Sequence, residues 1–475
     1  MSKFKSIIKT LIATCLCTIT QPVLAQNSDS LCYLSLDSCR AMALRTNFDL
    51  KIAEKTIEKA QAEKNALLSM YFPKISATGG AAYVFKDIQV LQSIDPLLPS
   101  FTIPSGNIPT ELLGPINEGL NYLRESIVEN WKPIEISMKG AFMAGITLQQ
   151  PIFAGGRIIT GNKMANIGVA MAEENKALKI SETLVDADKS YWLYISVREK
   201  VKLAEMYDEL LTQIETLLTN VKDVEMINRN DLMKVQVQHN QVKLMLQRAR
   251  SGLQLSRMAL CNTIGADYNT VIIPIDTVIQ TVENFQLAPD SAVYNRSEYK
   301  LLRKMVEMKE GEVKLARGNY LPTIGLGASY AYAGGIRIQG QLDEPYNVSN
   351  IMATVSIPIS HWWEGSQKIK SAKTDKKIAE LEMQKNTRLM ELEIKQATLN
   401  MVDAYTQIRM AEEALDQSKE NLRISSDRYQ VELETMANLL EAQAQWQTTY
   451  SNLIDARIEF RIKEIEFLKA TGQLK

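Results

Sequence analysis

The chain has 475 residues, and 54 Lys and Arg against 55 Asp and Glu leave a formal net charge of −1. A balance so near zero excludes the basic stripe that a nucleic-acid partner requires, and 45% hydrophobic residues mark a folded chain rather than a disordered one. Only two histidines, His239 and His361, and five cysteines without a C-x-x-C pair leave little for metal or histidine-based acid–base chemistry. No catalytic, cofactor-binding or metal-ligating constellation is expected, and no phosphate-binding GxxxxGK[ST] pattern occurs.

Lys3, Lys5 and Lys9, the apolar run Leu11 to Ile19 and the segment Val23-Leu24-Ala25 read as a cleaved secretory signal peptide over residues 1–25. Cys15 and Cys32 lack the small preceding residue that a lipoprotein site would need. No later stretch approaches the roughly 18 consecutive apolar residues of a spanning helix, so any membrane passage must use strands. Cys32, in a flexible lead, and Cys39, at a helix start, could pair in an oxidising compartment, but packing is the simpler reading.

A first helix is expected from about Asn47 to Met70, ended by Tyr71-Phe72-Pro73. Strand alternation follows, as in Phe142, Ala144, Ile146 and Leu148 against Met143, Gly145, Thr147 and Gln149. Between the first two strands, Lys86 to Met138 is expected to form a surface cap or long outer loop. Pro96, Pro99, Pro104, Pro109 and Pro115 interrupt any long strand, and Glu118 to Glu129 is a candidate short helix within it. A proline-free stretch from Arg157 to Val224 then reads as a helix of about 102 Å. Its seam is Leu203, Tyr207, Leu210, Ile214, Leu217, Val221 and Val224. The returning helix carries Leu232, Val235, His239, Val242, Leu246, Ala249 and Leu253. His239 is read as seam packing rather than as a metal ligand. Ala266 to Leu287, containing Pro274, closes this part.

The same plan then recurs. A helix from about Ala292 to Arg317 ends before Leu321-Pro322. Strands follow, with Ile324, Leu326, Ala328, Tyr330 and Tyr332 on one face, then Ile351, Ala353, Val355 and Ile357. Only about Gln339 to Asn350 connects them. A helix of about 99 Å runs from Ser366 to Val431. Its seam of Met401, Ile408, Leu415, Leu422 and Tyr429 meets Leu439, Ala442, Trp446, Thr449, Leu453, Ala456 and Phe460 on the returning helix. Pro73 aligns with Pro322 at an offset of 249, and DLMKVQVQ from Asp231 aligns with NLLEAQAQ from Asn438 at 207. Residues 26–287 and 288–475 therefore read as two tandem repeats, the first enlarged by the 86–138 loop. A seam period near 3.5 means left-handed coiled-coil packing. Large apolar residues on one strand face and small or polar ones on the other suit a barrel between lipid and water. Four strands cannot close such a barrel, so several chains must share it, and three would supply twelve.

The order and spacing of SLDSCRAMAL at Ser35, YFPKIS at Tyr71, QPIFAGGR at Gln150, NYLPTIGL at Asn319, IPISHWWEGS at Ile357 and RYQVELETMANLLEAQ at Arg428 resemble the TolC family of outer-membrane efflux channels. The resemblance implies a mainly α fold with transmembrane β. A homotrimer would share one twelve-strand barrel, four strands from each protomer, continued by a periplasmic coiled-coil α-helical barrel. It implies localisation in the outer membrane, reaching into the periplasm. The implied function is a passive exit duct of a tripartite efflux system, without a cofactor. Its partners would be outer-membrane lipid, a periplasmic adaptor and an inner-membrane transporter of RND or ABC type. Type I protein secretion is the alternative within transport, and a purely structural periplasmic coiled coil is the alternative outside it.

In this family the turns between long and returning helices form the periplasmic tip, here Glu225 to Asp231 and Glu432 to Asn438. The pore constriction would fall on Asp231, Asn438 and Glu441. Tip turns and adaptor contacts would fall on Glu225, Asn228, Arg229, Glu432, Glu434 and Thr435. Glu225 and Glu432 stand where the family has Gly, and Glu434 where an Arg is common, so the usual Arg–Asp latch is not expected. Read from the residues alone, Asp231 and Asn438 are helix N-caps.

Overall fold

The computed structural model describes residues 31–90, 92–100, 110–222, 229–276, 290–338, 341–342, 344–360 and 362–474. The signal-peptide expectation lies outside them, as do Glu225, Asn228 and His361. The chain divides into two compact units.

One unit draws on the described residues up to 56, on 172–302 and on 383 onward. It opens with β1 (Leu31–Leu34), which pairs in parallel with β6 (Val271–Pro274), Cys32 lying opposite Ile272. The flexible lead expected around Cys32 is therefore a strand. Pro274 is tolerated because it ends β6. Helix α1 (Leu36–Thr46) follows, capped by the Ser35 hydroxyl, which accepts from the Ser38 N–H. The helix expected from about Asn47 begins there. The Asn47 side chain accepts from the Asp49 and Leu50 N–H groups and so starts α2 (Phe48–Leu68).

The core of this unit packs Leu34, Cys39 and Ala43 against Tyr191, Ile195, Leu260 and Ile264. Tyr191 Oη donates to Asp276 Oδ2 at 2.7 Å, an oxygen that also accepts from the Leu36 N–H, and this ties β1, α1 and the end of β6 together. Cys39 is fully buried with Sγ against the Ala187 carbonyl, and burial pushes its thiol up to about 12. Cys32, Cys39 and Cys261 are free thiols, so the Cys32–Cys39 pairing is absent.

The long elements are α4 (Arg157–Lys222, 66 residues), α5 (Arg229–Ile264), α6 (Ser297–Gly318), α7 (Trp362–Gln430, 69 residues) and α8 (Met436–Ala470). Their bounds agree with the periodicity reading to within a few residues. The α5 seam holds as expected, with Leu232, Val235, His239, Val242 and Leu246 buried. In α4 the expected seam is wrong by one residue near its end: Leu218 is 5% exposed and Leu217 is 64% exposed. A straight helix drifts from a strict 3.5 period, and α4 carries two adjacent apolar stripes, of which Leu203, Tyr207, Leu211 and Leu218 face inward.

The other unit covers 57–171 and 303–382. Its main sheet is antiparallel in the order β10-β7-β5-β2, formed by β2 (Lys74–Tyr83), β5 (Lys139–Ala154), β7 (Thr323–Gly334) and β10 (Tyr346–Ser356). Register places Ile146 beside Tyr330 and Leu148 beside Ala328, so the apolar faces of the strands coincide. Ile75, Ile146, Tyr330, Tyr332 and Ile351 are exposed on it. The opposite face carries Ser76, Thr78, Thr147, Ser329 and Asn350, with Ser329 Oγ 2.8 Å from Asn350 Oδ1.

The motif QPIFAGGR acquires its reason where β5 turns into α4. Gly155 has φ +61°, and a Cβ there would lie 2.2 Å from the Gly318 carbonyl oxygen. Arg157 then bonds back to the Ala154 carbonyl and to Asn319.

Among its described residues, the 86–138 segment is not a bare loop. It holds β3 (Ile88–Val90), β4 (Ile134–Ser137) and α3 (Thr110–Glu129), a helix longer than expected that keeps Pro115 inside it. With β8 (Arg337–Ile338) and β9 (Gln341–Leu342), these strands form a second sheet in the order β3-β4-β8-β9. Prolines forbade one long strand but not several short ones. Among the described residues, no helix is long and apolar enough to cross a membrane.

Candidate functional site

The two helical hairpins meet where α4 ends and α5 begins, and where α7 ends and α8 begins. Leu218, Leu232 and Val235 of the first pack with Met436 and Leu439 of the second, flanked by Ile214, Leu422 and Tyr429. Beside this cluster lies a groove of about 1010 Å³, bordered by Leu217, Arg423 and Tyr429 and by three of the expected tip acids, Asp231, Glu432 and Glu434. Burial, with the nearby Asp231 carboxylate, raises the Tyr429 hydroxyl above its ordinary range.

The second turn closes α7 with a Schellman motif. The Leu433 N–H donates to the Arg428 carbonyl at 2.9 Å and the Glu432 N–H to the Tyr429 carbonyl at 3.1 Å. The motif puts its hinge residue in the left-handed region, and Glu432 has φ +61°. A Gly is usual at such a position because a Cβ is disfavoured there. The sequence reading noticed the departure at Glu432 but not the conformation behind it.

Thr435 caps α8, its hydroxyl accepting from the Asn438 N–H at 3.2 Å. The expected capping by Asn438 is therefore incorrect: Asn438 is the third helical residue, and its Nδ2 donates to Glu434 Oε1 at 2.5 Å. Capping needs an extended backbone one step before the helix, and Thr435, at φ −88° and ψ 152°, is that residue. Asp231 is likewise inside the first turn of α5, where Lys234 Nζ donates to its Oδ1 at 3.0 Å. Glu434 also lies 3.8 Å from Arg428. Arg229 is exposed at the first residue of α5, and Glu441 is exposed one turn beyond Asn438. The structure thus brings Asp231, Glu432 and Glu434 to one groove and ties Asn438 to Glu434, while Glu441 is not among the groove residues.

Sequence reasoning missed two features here. Val431 and Leu433 are exposed apolar residues flanking Glu432 on the second turn. Below the first turn, His239 is buried between carboxylates of α4. Its position on an apolar seam was the available signal. Among the described residues no group of three or more His, Cys, Asp or Glu could hold a metal ion.

The fold is that of outer-membrane efflux channels. The chain matches CusC at 14% identity with a TM-score of 0.72, covering 92% of both chains. It matches VceC from Vibrio cholerae at 14% identity and 0.69, covering 92% of this chain and 96% of that one. For CmeC of Campylobacter jejuni the values are 17% and 0.70, with 92% and 85% covered. Residues 289–473 match the sequence pattern of the outer membrane efflux protein family, in agreement with the TolC-family resemblance and the outer-membrane placement read from the sequence. No curated protein matches the chain.

Proposed function

We propose that three copies of this chain form one passive exit duct, to which each protomer contributes the sheet β10-β7-β5-β2. The observation that carries this reading is the pair of open edges. Among the described residues β2 and β10 each pair on one side only, and both are exposed along their whole length. Unpaired backbone edges are not tolerated in lipid. Three protomers would give a twelve-strand closed barrel, its apolar face toward lipid and its Ser, Thr and Asn face toward water. The two tandem repeats, 26–287 and 288–475, support this plan, since α5 and α8 begin at positions separated by the same 207 residues as the sequence repeat.

The helical hairpins would continue the barrel into the periplasm and narrow at the tip. Asp231, Asn438 and Glu441 would line the constriction, where threefold repetition of carboxylates gives a cation-attracting throat. The turn residues Glu225, Asn228, Arg229, Glu432, Glu434 and Thr435 would meet a periplasmic adaptor, with Val431 and Leu433 adding apolar contact. An inner-membrane transporter of RND or ABC type would supply the energy. The test is planar-lipid conductance of the purified protein together with its mass in detergent. A conducting trimer is expected; a conducting monomer would refute the shared barrel, and a trimer that never conducts would refute the duct.

A further inference from the structure

We propose that His239, Asp208 and Glu215 form a proton-sensitive joint in the first helical hairpin, which holds α5 to α4 while the imidazole is protonated and loosens as pH rises. His239 is 4% exposed on α5. Its Nδ1 lies 2.6 Å from Glu215 Oε2, and its Nε2 lies 3.2 Å from both Asp208 Oδ1 and Thr212 Oγ1, all on α4. The hydroxyl proton of Thr212 is committed to the Asp208 carbonyl at 2.8 Å, so Thr212 can only accept from Nε2. An ionised Glu215 can only accept from Nδ1. Both ring nitrogens must then carry a proton, and the species that satisfies the site is the imidazolium.

Gln236, on α5, donates to the other oxygen of Glu215 at 3.0 Å, and Lys243 adds a positive charge acting on Glu215. The imidazole beside Glu215, chiefly by its hydrogen bond, holds that carboxyl below the usual range, so Glu215 stays ionised wherever histidine titrates. Loss of the imidazolium proton leaves one nitrogen lone pair facing an acceptor and two carboxylates without their cation in a partly buried seam. The contribution is therefore complete on the acid side and declines as pH rises.

The second hairpin shows that the coiled coil does not need this layer. At the same register, 207 residues on, Asp208, Glu215 and His239 are replaced by Leu415, Leu422 and Trp446. Leu415 and Leu422 pack against the apolar clusters of that hairpin. A buried charged layer is often no more stable than an apolar one of similar volume, so its presence in one hairpin alone marks a device rather than a stabiliser. It sits eight residues from Asp231, about 12 Å along α5, so the joint lies directly below the first tip turn.

Hydrogen exchange on the full detergent-purified protein, corrected for intrinsic rates, tests this. In wild type, peptides covering 205–218 and 232–243 should lose protection by about tenfold or more between pH 5.5 and 8.0, the range expected for losing one charge-assisted hydrogen bond. His239→Gln, and separately the triple change Asp208→Leu, Glu215→Leu and His239→Trp, should abolish that difference. The triple variant carries the second hairpin's own layer, and it keeps the test alive if the single variant folds poorly. Because the sequence has only two histidines and the variants retain His361, the comparison isolates His239. Protection that is flat with pH in wild type, or a pH dependence retained by the triple variant, would overturn the proposal. Neither outcome depends on whether the protein conducts.

Discussion

Arg40 and Asp188 join α1 to α4 through two bonds, Nε to Oδ1 at 2.7 Å and Nη2 to Oδ2 at 2.6 Å. The Asp188 side chain is 3% exposed and that of Arg40 30%. Arg40→Ala would leave a carboxylate buried without its cation, with Glu464 and Asp37 adding repulsion. Removing one partner of a buried pair costs about 3–5 kcal/mol, and the partial exposure of Arg40 puts this case near the lower end, about 3 kcal/mol. That corresponds to about a hundredfold loss of exchange protection in the amides of α1 at pH 7.

The pH dependence has a definite sign. Burial already raises the Asp188 carboxyl, against the opposing pull of Arg40. Without Arg40 the folded state takes up a proton that the unfolded state does not. The cost of the substitution therefore shrinks as pH falls from 7 towards the ordinary carboxylate range near pH 4. Hydrogen exchange at pH 7 and 5, with Asp188→Asn as the second corner of a double-mutant cycle, measures both terms. A protection loss below about threefold at pH 7, or one that grows on acidification, would show that the pair does not hold α1 in place.

Three further outcomes are expected. Glu432→Gly should stabilise the second turn by about 1 kcal/mol, because Gly carries no left-handed penalty at φ +61°; slower exchange of the amides at Leu433 and Glu432 is the readout. Gly155→Ala should sharply reduce the yield of folded protein, since its Cβ would collide with the Gly318 carbonyl at 2.2 Å in a left-handed backbone; heat-modifiable migration on gels reports folding. Glu441→Gln should lower the cation preference of the conducting protein, measured as a reversal potential under a salt gradient; an unchanged potential would remove Glu441 from the throat and leave it as a surface residue.

Much of the architecture is a local property and was legible in the chain. Long proline-free stretches with apolar residues at threes and fours specify α4, α5, α7 and α8 whatever they pack against. Alternation after Pro73 and Pro322 specifies β2 and β7 for the same reason.

Other features depend on partners remote in sequence, and only the folded chain decides them. Leu217 and Leu218 are equally apolar, and the stripe that is buried depends on where α5 and α8 lie, so local periodicity could not choose between them. Thr435 rather than Asn438 caps α8 because capping is settled by backbone angles that the Schellman turn at Glu432 imposes. Cys32 became a strand residue because β6, some 240 residues away, offers it a partner. His239 read as seam packing because its neighbours at threes and fours on α5 are apolar. Its chemistry comes from Asp208 and Glu215 on the facing helix, and a pairing between two helices is fixed by three-dimensional packing, not by the spacing within either one.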